Sequence, residues 1–314
     1  MRYGFGVDVG GTTVKIAWFD EVGQMLDAWQ IPTVTDNGGA AILPDIAASI
    51  DRYLQEKGVA RENVIGVGVG VPGPVDDKGV VNGCVNLGWG EINIAQELSR
   101  LTGFPVKAGN DANVAALGEA WKGSAKAYGS MVMATLGTGV GGGIVINGQL
   151  LHGANGAGGE VGHMTLNFEE TERCGCGRRG CVEQYCSATG VVRLAKRRLT
   201  EDTQASILRG AQKLEAKDVF DAGKAGDEVA KQVLDRYYDY LGKFLSSLCC
   251  IVDPEVIVLG GGVCKAGQVL LDGIREKYLK YAFHACKDLK LVIAELGNDA
   301  GAYGAFKLVL DAYG

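Results

Sequence analysis

The apolar positions of this chain fall into short runs punctuated by glycine. Tyr3–Val9 and residues 13–19 flank Gly10-Gly11-Thr12, and this spacing predicts strand, tight turn, strand. Met25–Pro32 reads as a third strand. Within 39–57 apolar residues recur every fourth position, at Ile42, Ile46, Ile50 and Leu54, which predicts a helix. Val64–Val71 is rich in β-branched residues and reads as a buried strand; Pro72-Gly73-Pro74 bars a helix directly after it. Residues 94–101 read as a helix and 105–108 as a short strand, and Asn110-Asp111-Ala112-Asn113 opens a helix running to about Lys122.

The second half repeats the pattern. Residues 130–136 and Val140–Ile146 flank Gly137-Thr138-Gly139, and laying 7–20 on 134–147 sets Gly10 opposite Gly137 without a gap. A Cys-rich irregular insert covers 160–186, and 189–199 and 227–252 read as helices. Residues 256–259 form a strand, followed by Gly260-Gly261-Gly262 and a helix from about Gln268; 289–294 and 300–310 give a last strand and a last helix. A duplicated glycine-turn hairpin among helices indicates an α/β fold of two similar halves. The expected domains are 1–124 and 125–314, with the last helix folding back on the first.

Composition narrows the classes. The chain has 314 residues, 47% of them hydrophobic and 22% charged, which is ordinary for a globular protein of about two domains. Its formal charge of −6 lacks the basic footprint of a nucleic-acid binder. Asp8 comes too early for a secretory h-region, and the uncharged stretch 127–159 is broken by eleven glycines, so neither a signal peptide nor a membrane span is expected. Nine cysteines without a secretion signal point to the cytoplasm, where clustered Cys serve as metal ligands more often than as disulfides. Glycine is the outlier, with 49 residues against a usual share of about 7%.

Two G-x-G-x-x-G matches, beginning at Gly68 and Gly137, carry no dinucleotide site: one runs into Pro74 and the other into a strand, whereas that motif requires a helix. No P-loop pattern is present. The informative pair is Asp8-x-Gly10-Gly11-Thr12 with Gly137-Thr138-Gly139. Glycines let backbone N–H groups approach phosphate oxygens, Thr hydroxyls add donors, and a neighbouring Asp can hold hydrated Mg²⁺. Either turn alone could be an ordinary hairpin; the duplication, and a third glycine turn at Gly261-Gly262 open to a nucleotide base, favour the ligand. Cys174-x-Cys176-Gly-x-x-Gly180-Cys181, with His163 eleven residues earlier, supplies three thiolates and an imidazole for a closed tetrahedral zinc site. The other six cysteines (84, 186, 249, 250, 264, 286) read as core residues, His152 and His284 as structural or exposed, and Asp20, Asp76 and Asp77 as turn or surface residues.

The two turns resemble those of sugar kinases with the actin-like ATPase fold. Together with Glu160-Val-Gly162-His163 and Cys181-Val-Glu183, the cysteine cluster resembles the ROK family of bacterial repressors, open reading frames and kinases, and within it the glucokinases, over essentially the whole chain. That resemblance implies a duplicated actin-like ATPase (hexokinase/sugar kinase) fold, two domains around a central cleft, and an ATP-dependent hexose kinase, first for D-glucose. Kinases for N-acetylmannosamine, allose or fructose, and a non-catalytic sugar sensor, are the alternatives. It implies Asp111 as catalytic base; Asp8, Gly10, Gly11, Thr12, Gly137, Thr138, Gly139, Gly261 and Gly262 on ATP and its Mg²⁺; Asn110, Asp111, Glu160, His163 and Glu183 on the sugar; and structural Zn²⁺ on His163, Cys174, Cys176 and Cys181. A homodimer or dimer of dimers is expected, with no nucleic-acid or membrane partner. Loss of zinc is expected to weaken sugar binding more than ATP binding, because the Asp8 and Thr138 turns lie elsewhere in the chain.

Overall fold

A computed structural model describes all residues, Met1–Gly314. Its strands are β1 (Tyr3–Val9), β2 (Thr13–Asp20), β3 (Met25–Pro32), β4 (Val64–Val71), β5 (Val80–Cys84), β6 (Trp89–Asn93), β7 (Val106–Asn110), β8 (Met131–Leu136), β9 (Val140–Ile146), β10 (Gln149–Leu150), β11 (Val256–Gly260) and β12 (Lys290–Ile293). The helices are α1 (Asp36–Gly39), α2 (Ile42–Lys57), α3 (Ile94–Thr102), α4 (Asp111–Lys122), α5 (Glu183–Cys186), α6 (Ala188–Glu201), α7 (Ala216–Lys224), α8 (Glu228–Val252), α9 (Gln268–Tyr281) and α10 (Ala300–Tyr313).

Two five-stranded sheets have the orders β3-β2-β1-β4-β7 and β10-β9-β8-β11-β12. In the first, β1 is antiparallel to β2 and parallel to β4, which is parallel to β7. In the second, β11 runs parallel to both β8 and β12. The sheets match position by position, so the duplication seen along the chain is a duplication of topology. The glycine turns occupy equivalent places, after β1 and after β8.

The chain forms two compact units. The first comprises Met1–Gly129, Gly143–Gly159 and Glu295–Gly314; the second comprises Ser130–Gly142 and Glu160–Ala294. In the first unit α10 lies on β1, β4 and α4 in a bed of glycines. A Cβ on Gly6 would collide with the Ala302 carbonyl, one on Gly68 with the Ala305 carbonyl, and one on Gly304 with the Val114 carbonyl of α4. Much of the glycine excess thus serves backbone-on-backbone packing. Phe19 stacks on Phe306 with ring centroids 4.8 Å apart, and sheet and helix exclude water together.

Some expectations shift. The helix expected over 39–57 starts at Ile42, because Asn37, Gly38 and Gly39 have positive φ and break the turn before it. The hairpin β5–β6 and helix α7 were not anticipated. Of the six cysteines read as core, 84, 186, 249 and 264 are buried, but Cys250 is exposed and Cys286 half-buried. Cys249 and Cys250 are adjacent on α8, so only one of them faces inward.

Gly304→Ala should destabilise the protein by about 2 kcal/mol, since overpacking at the α4–α10 contact outweighs the gain in helix propensity of about 1 kcal/mol. Gly11→Ala, which meets no atom within 4 Å, should change stability by less than about 0.5 kcal/mol. Urea unfolding of both variants measures the contrast.

Candidate functional site

The first unit contributes two carboxylates at the carboxyl ends of its parallel strands. Register pairs Asp8 with Gly70, and Gly70 with Gly109, so Asp8 and the start of α4 share one edge of the sheet. Asn110 is the N-cap of α4: its Oδ1 accepts from the Asn113 N–H at 3.1 Å, and its Nδ2 donates to the Gly73 carbonyl at 3.1 Å. The capping role that Asp111 could have taken therefore belongs to its neighbour. Asp111 is the first helical residue, half-buried, with Oδ1 accepting from the Ala112 N–H at 2.8 Å.

Burial pushes the Asp8 carboxyl up to about 6, the negative Asp111 adds to the rise, and Lys15 opposes it. Lys15 stands opposite Asp8 in the β1–β2 register and is ion-paired with Asp299, just before α10. Gly301, in the first turn of α10, leaves room for the Asp8 carboxylate, which any Cβ there would crowd. A carboxyl raised by burial and by a neighbouring carboxylate suits a divalent cation, whose charge would relieve the cost. The first glycine turn is held from behind: Thr33 donates its hydroxyl to the Gly10 carbonyl at 2.7 Å and its N–H to the Thr12 carbonyl at 2.9 Å.

The second unit repeats that device. Thr189 donates its hydroxyl to the Thr138 carbonyl at 2.7 Å, and the Ala188 N–H donates to the Gly137 carbonyl at 2.8 Å. Gly261, at φ +85°, abuts Leu136 at the end of β8, which brings the third glycine turn beside the second. Thr138, Thr189, Gly262 and Val263, with Arg193 and Phe220, line a cavity of about 990 Å³. Its size and mixed lining fit a nucleoside. Gly11 and Gly262 have open space where a side chain would be, so packing does not require glycine at either position.

His163, Cys174, Cys176 and Cys181 converge, with all ligand atoms within 4.8 Å of one another. Cys176 and Cys181 Sγ are 3.6 Å apart, and Cys174 Sγ is 3.9 Å from His163 Nδ1. A tetrahedron with bonds of about 2.3 Å has edges of about 3.8 Å, so this donor set fits a zinc ion. The surrounding loop has other anchors: buried Glu170 pairs with Arg193 and Arg197 on α6 and accepts from the Tyr185 hydroxyl. Although burial opposes it, these partners hold the Glu170 carboxyl well below the usual range.

Glu183 lies 3.3 Å from Cys174 Sγ through Oε1 and accepts from the Val140 N–H at 3.3 Å through Oε2. The Thr138 turn is therefore not remote from the cluster, as its distance along the chain suggested; one carboxylate joins them. Glu160 is half-buried and precedes the short helical turn Val161–His163. The sequence reading missed Lys15, Asp299 and the α7 wall of the cavity. The Asp8–Lys15 pairing was available from the hairpin register around Gly10-Gly11-Thr12.

The sign of the Asp8 effect is testable. Its folded value, about 6, exceeds the unfolded value of 3.8, so ionisation costs the native state, and stability falls as pH rises between the two. Above pH 6 the cost is about 3 kcal/mol. Asp8→Asn should raise Tm at pH 7.5 without divalent cation, with about half that gain at pH 5 and almost none at about pH 3.5; thermal melts at these pH values test this.

A family model described as ROK family matches residues 4–312. A glucokinase of Halalkalibacterium halodurans is 44% identical over 313 residues, covering 98% of this chain and 95% of that protein. The crystal structure of a ROK hexokinase from Thermus thermophilus superposes with a TM-score of 0.83 at 33% identity, covering 99% of this chain and 100% of that one. A ROK family glucokinase from Streptomyces griseus, in complex with glucose and AMPPNP, gives 0.76 at 32% identity and 98% coverage of both. The duplicated sheets are those of the actin-like ATPase fold, and with its glycine turns and Cys-His cluster the chain belongs to the ROK family.

Proposed function

We propose that the protein is an ATP-dependent hexose kinase acting on D-glucose, giving glucose 6-phosphate and ADP. The observation that carries this reading is the placement of Asp111 at the first position of α4 beside Asp8, with the helix cap supplied by Asn110. Asp111 takes the proton of the 6-hydroxyl as its oxygen bonds to the γ-phosphorus and the bond to the β-phosphate oxygen breaks. Asp8 would hold hydrated Mg²⁺, which when bound neutralises phosphate charge. The backbones of the Gly10–Thr12 and Gly137–Gly139 turns bind phosphate oxygens, and Gly261 and Gly262 border the nucleoside.

Asn110, Glu160, His163 and Glu183 hydrogen-bond the sugar hydroxyls. His163 turns Nδ1 to the thiols, which suits Nε2 to donate to a hydroxyl. His163, Cys174, Cys176 and Cys181 would hold a structural zinc, which when bound would order these groups. Identity to a glucokinase over nearly the whole length supports glucose as the hexose.

ADP release across a panel of hexoses tests the reading. Glucose should exceed N-acetylmannosamine in kcat/KM by about tenfold, a gap of about 1.4 kcal/mol. Asp111→Ala should lower kcat by about 10²–10⁴ while leaving the fold intact. Near-normal turnover by the folded variant would remove Asp111 as the base, and preference for the acetylated sugar would replace glucose.

Elemental analysis should find about one zinc per chain. Cys176→Ser should lose it while keeping most of the fold, because Glu170 still anchors the loop to α6. Sugar KM should rise, and ATP KM with it, since Glu183 joins the cluster to the Thr138 turn. Unchanged KM values in a zinc-free variant would reduce the cluster to ordinary thiols.

A further inference from the structure

Glu119, on α4, is fully buried. Its carboxylate accepts four hydrogen bonds: through Oε2 from the Ser124 N–H at 2.9 Å, the Ser124 hydroxyl at 3.0 Å and the Glu295 N–H at 3.2 Å, and through Oε1 from the Leu296 N–H at 2.8 Å. All four donors are neutral. A buried carboxylate held only by neutral donors is costly, and an apolar side chain would fill the same volume without that cost.

The positions of the donors explain the arrangement. The chain crosses between the units four times, after Gly129, Gly142, Gly159 and Ala294; the first crossing follows the segment that contains Ser124, and the last returns to the first unit at Glu295. One carboxylate therefore binds the first departing and the last returning connection. Its helix begins at Asp111, eight residues or roughly 12 Å away. The returning segment then reaches Asp299, which pairs with Lys15, and Gly301, which lies against Asp8. Gly123 makes the departure possible, because a side chain there would strike Glu119 Oε2.

We infer that Glu119 is a positioning residue: it ties the first and the last of the four connections between the units to the helix that carries Asp111, and the alignment of Asp111 for transfer depends on it. This rests on the proposed kinase reading. Residues assigned to the sugar and to ATP come from both units, and the direct covalent path from α4 into the second unit runs through 123–129, which Glu119 holds at Ser124.

Glu119→Gln keeps the shape but must set an N–H₂ group against a backbone N–H, so it breaks the clasp without opening a cavity. Steady-state kinetics and amide exchange by mass spectrometry, both on the full chain, read the result. Expected are a fall in kcat of about tenfold, a KM for glucose within about threefold of the unsubstituted protein, and faster exchange confined to 123–129 and 294–299. A kcat within twofold, or exchange raised evenly over the first unit, overturns the inference. Should Glu119→Gln fail to fold, Ser124→Ala removes one donor; unchanged exchange at 123–129 and unchanged kcat then overturn it. If the unsubstituted protein phosphorylates no hexose, the proposed function falls, and the exchange pattern, read without substrate, decides whether the clasp exists.

Discussion

The approach of α10 to α4 and to the sheet beneath it is the constraint from which the first unit follows. Gly304 and Gly118 remove the side chains that would hold the two helices apart, and Gly6 and Gly68 do the same beneath α10. The close seat puts the first turn of α10 against Asp8 and Asp299 within reach of Lys15. It also fixes α4, whose first residue is Asp111. Asp8 and Asp111 are thus both set by a single packing arrangement, which hydrophobic burial around Phe19 and Phe306 stabilises. Loosening that seat by a methyl group would move the chemistry as well as the fold.

How much of this could be read from the chain depended on how local each signal was. Strand, glycine turn, strand is written within about fourteen consecutive residues, so both hairpins, and the duplication they imply, were legible. The Cys-His cluster was legible because three of its four members lie within eight residues, and their chemistry restricts the alternatives. Lys15 and Asp299 are 284 positions apart, and nothing in either neighbourhood marks the pair. Glu119 was hidden for the same reason, since two of its donors lie more than 170 positions away. Hairpin β5–β6 was missed because Gly83 interrupts a short run of only moderate apolar character. Sequence spacing also misled once: Thr138 and the cysteines look independent along the chain, and Glu183 brings them together.

The glycines divide by what occupies the space a side chain would need. Those under α10 face backbone carbonyls, so packing explains them. Gly11 and Gly262 face open space at ordinary φ, so neither packing nor backbone conformation explains them. Glycine in such a place gives up stability that alanine would restore through the unfolded chain. Both residues border the turns to which the proposed function assigns phosphate and nucleoside, and close approach of such a ligand to the backbone would account for that loss. The distinction separates two uses of one residue type that composition alone merges into a single excess.

The second unit solves a different problem, the ordering of a loop with little apolar substance. Two anchors are present, and they differ in kind. The Glu170–Arg193–Arg197 group fixes the outer part of the loop to α6 through charge-assisted hydrogen bonds that involve no residue of the Cys-His cluster. The Cys-His cluster fixes the inner part, where His163 and Glu183 must hold definite orientations. Glu183 is shared: Oε1 faces the Cys174 thiol while Oε2 receives the Val140 N–H, directly after the Gly137–Gly139 turn. A carboxylate with one oxygen toward the cluster and the other on the phosphate turn cannot respond to one without disturbing the other. The cluster and the Gly137–Gly139 turn are therefore coupled through one side chain, although the cluster lies in an insert that looks separate from that turn along the chain.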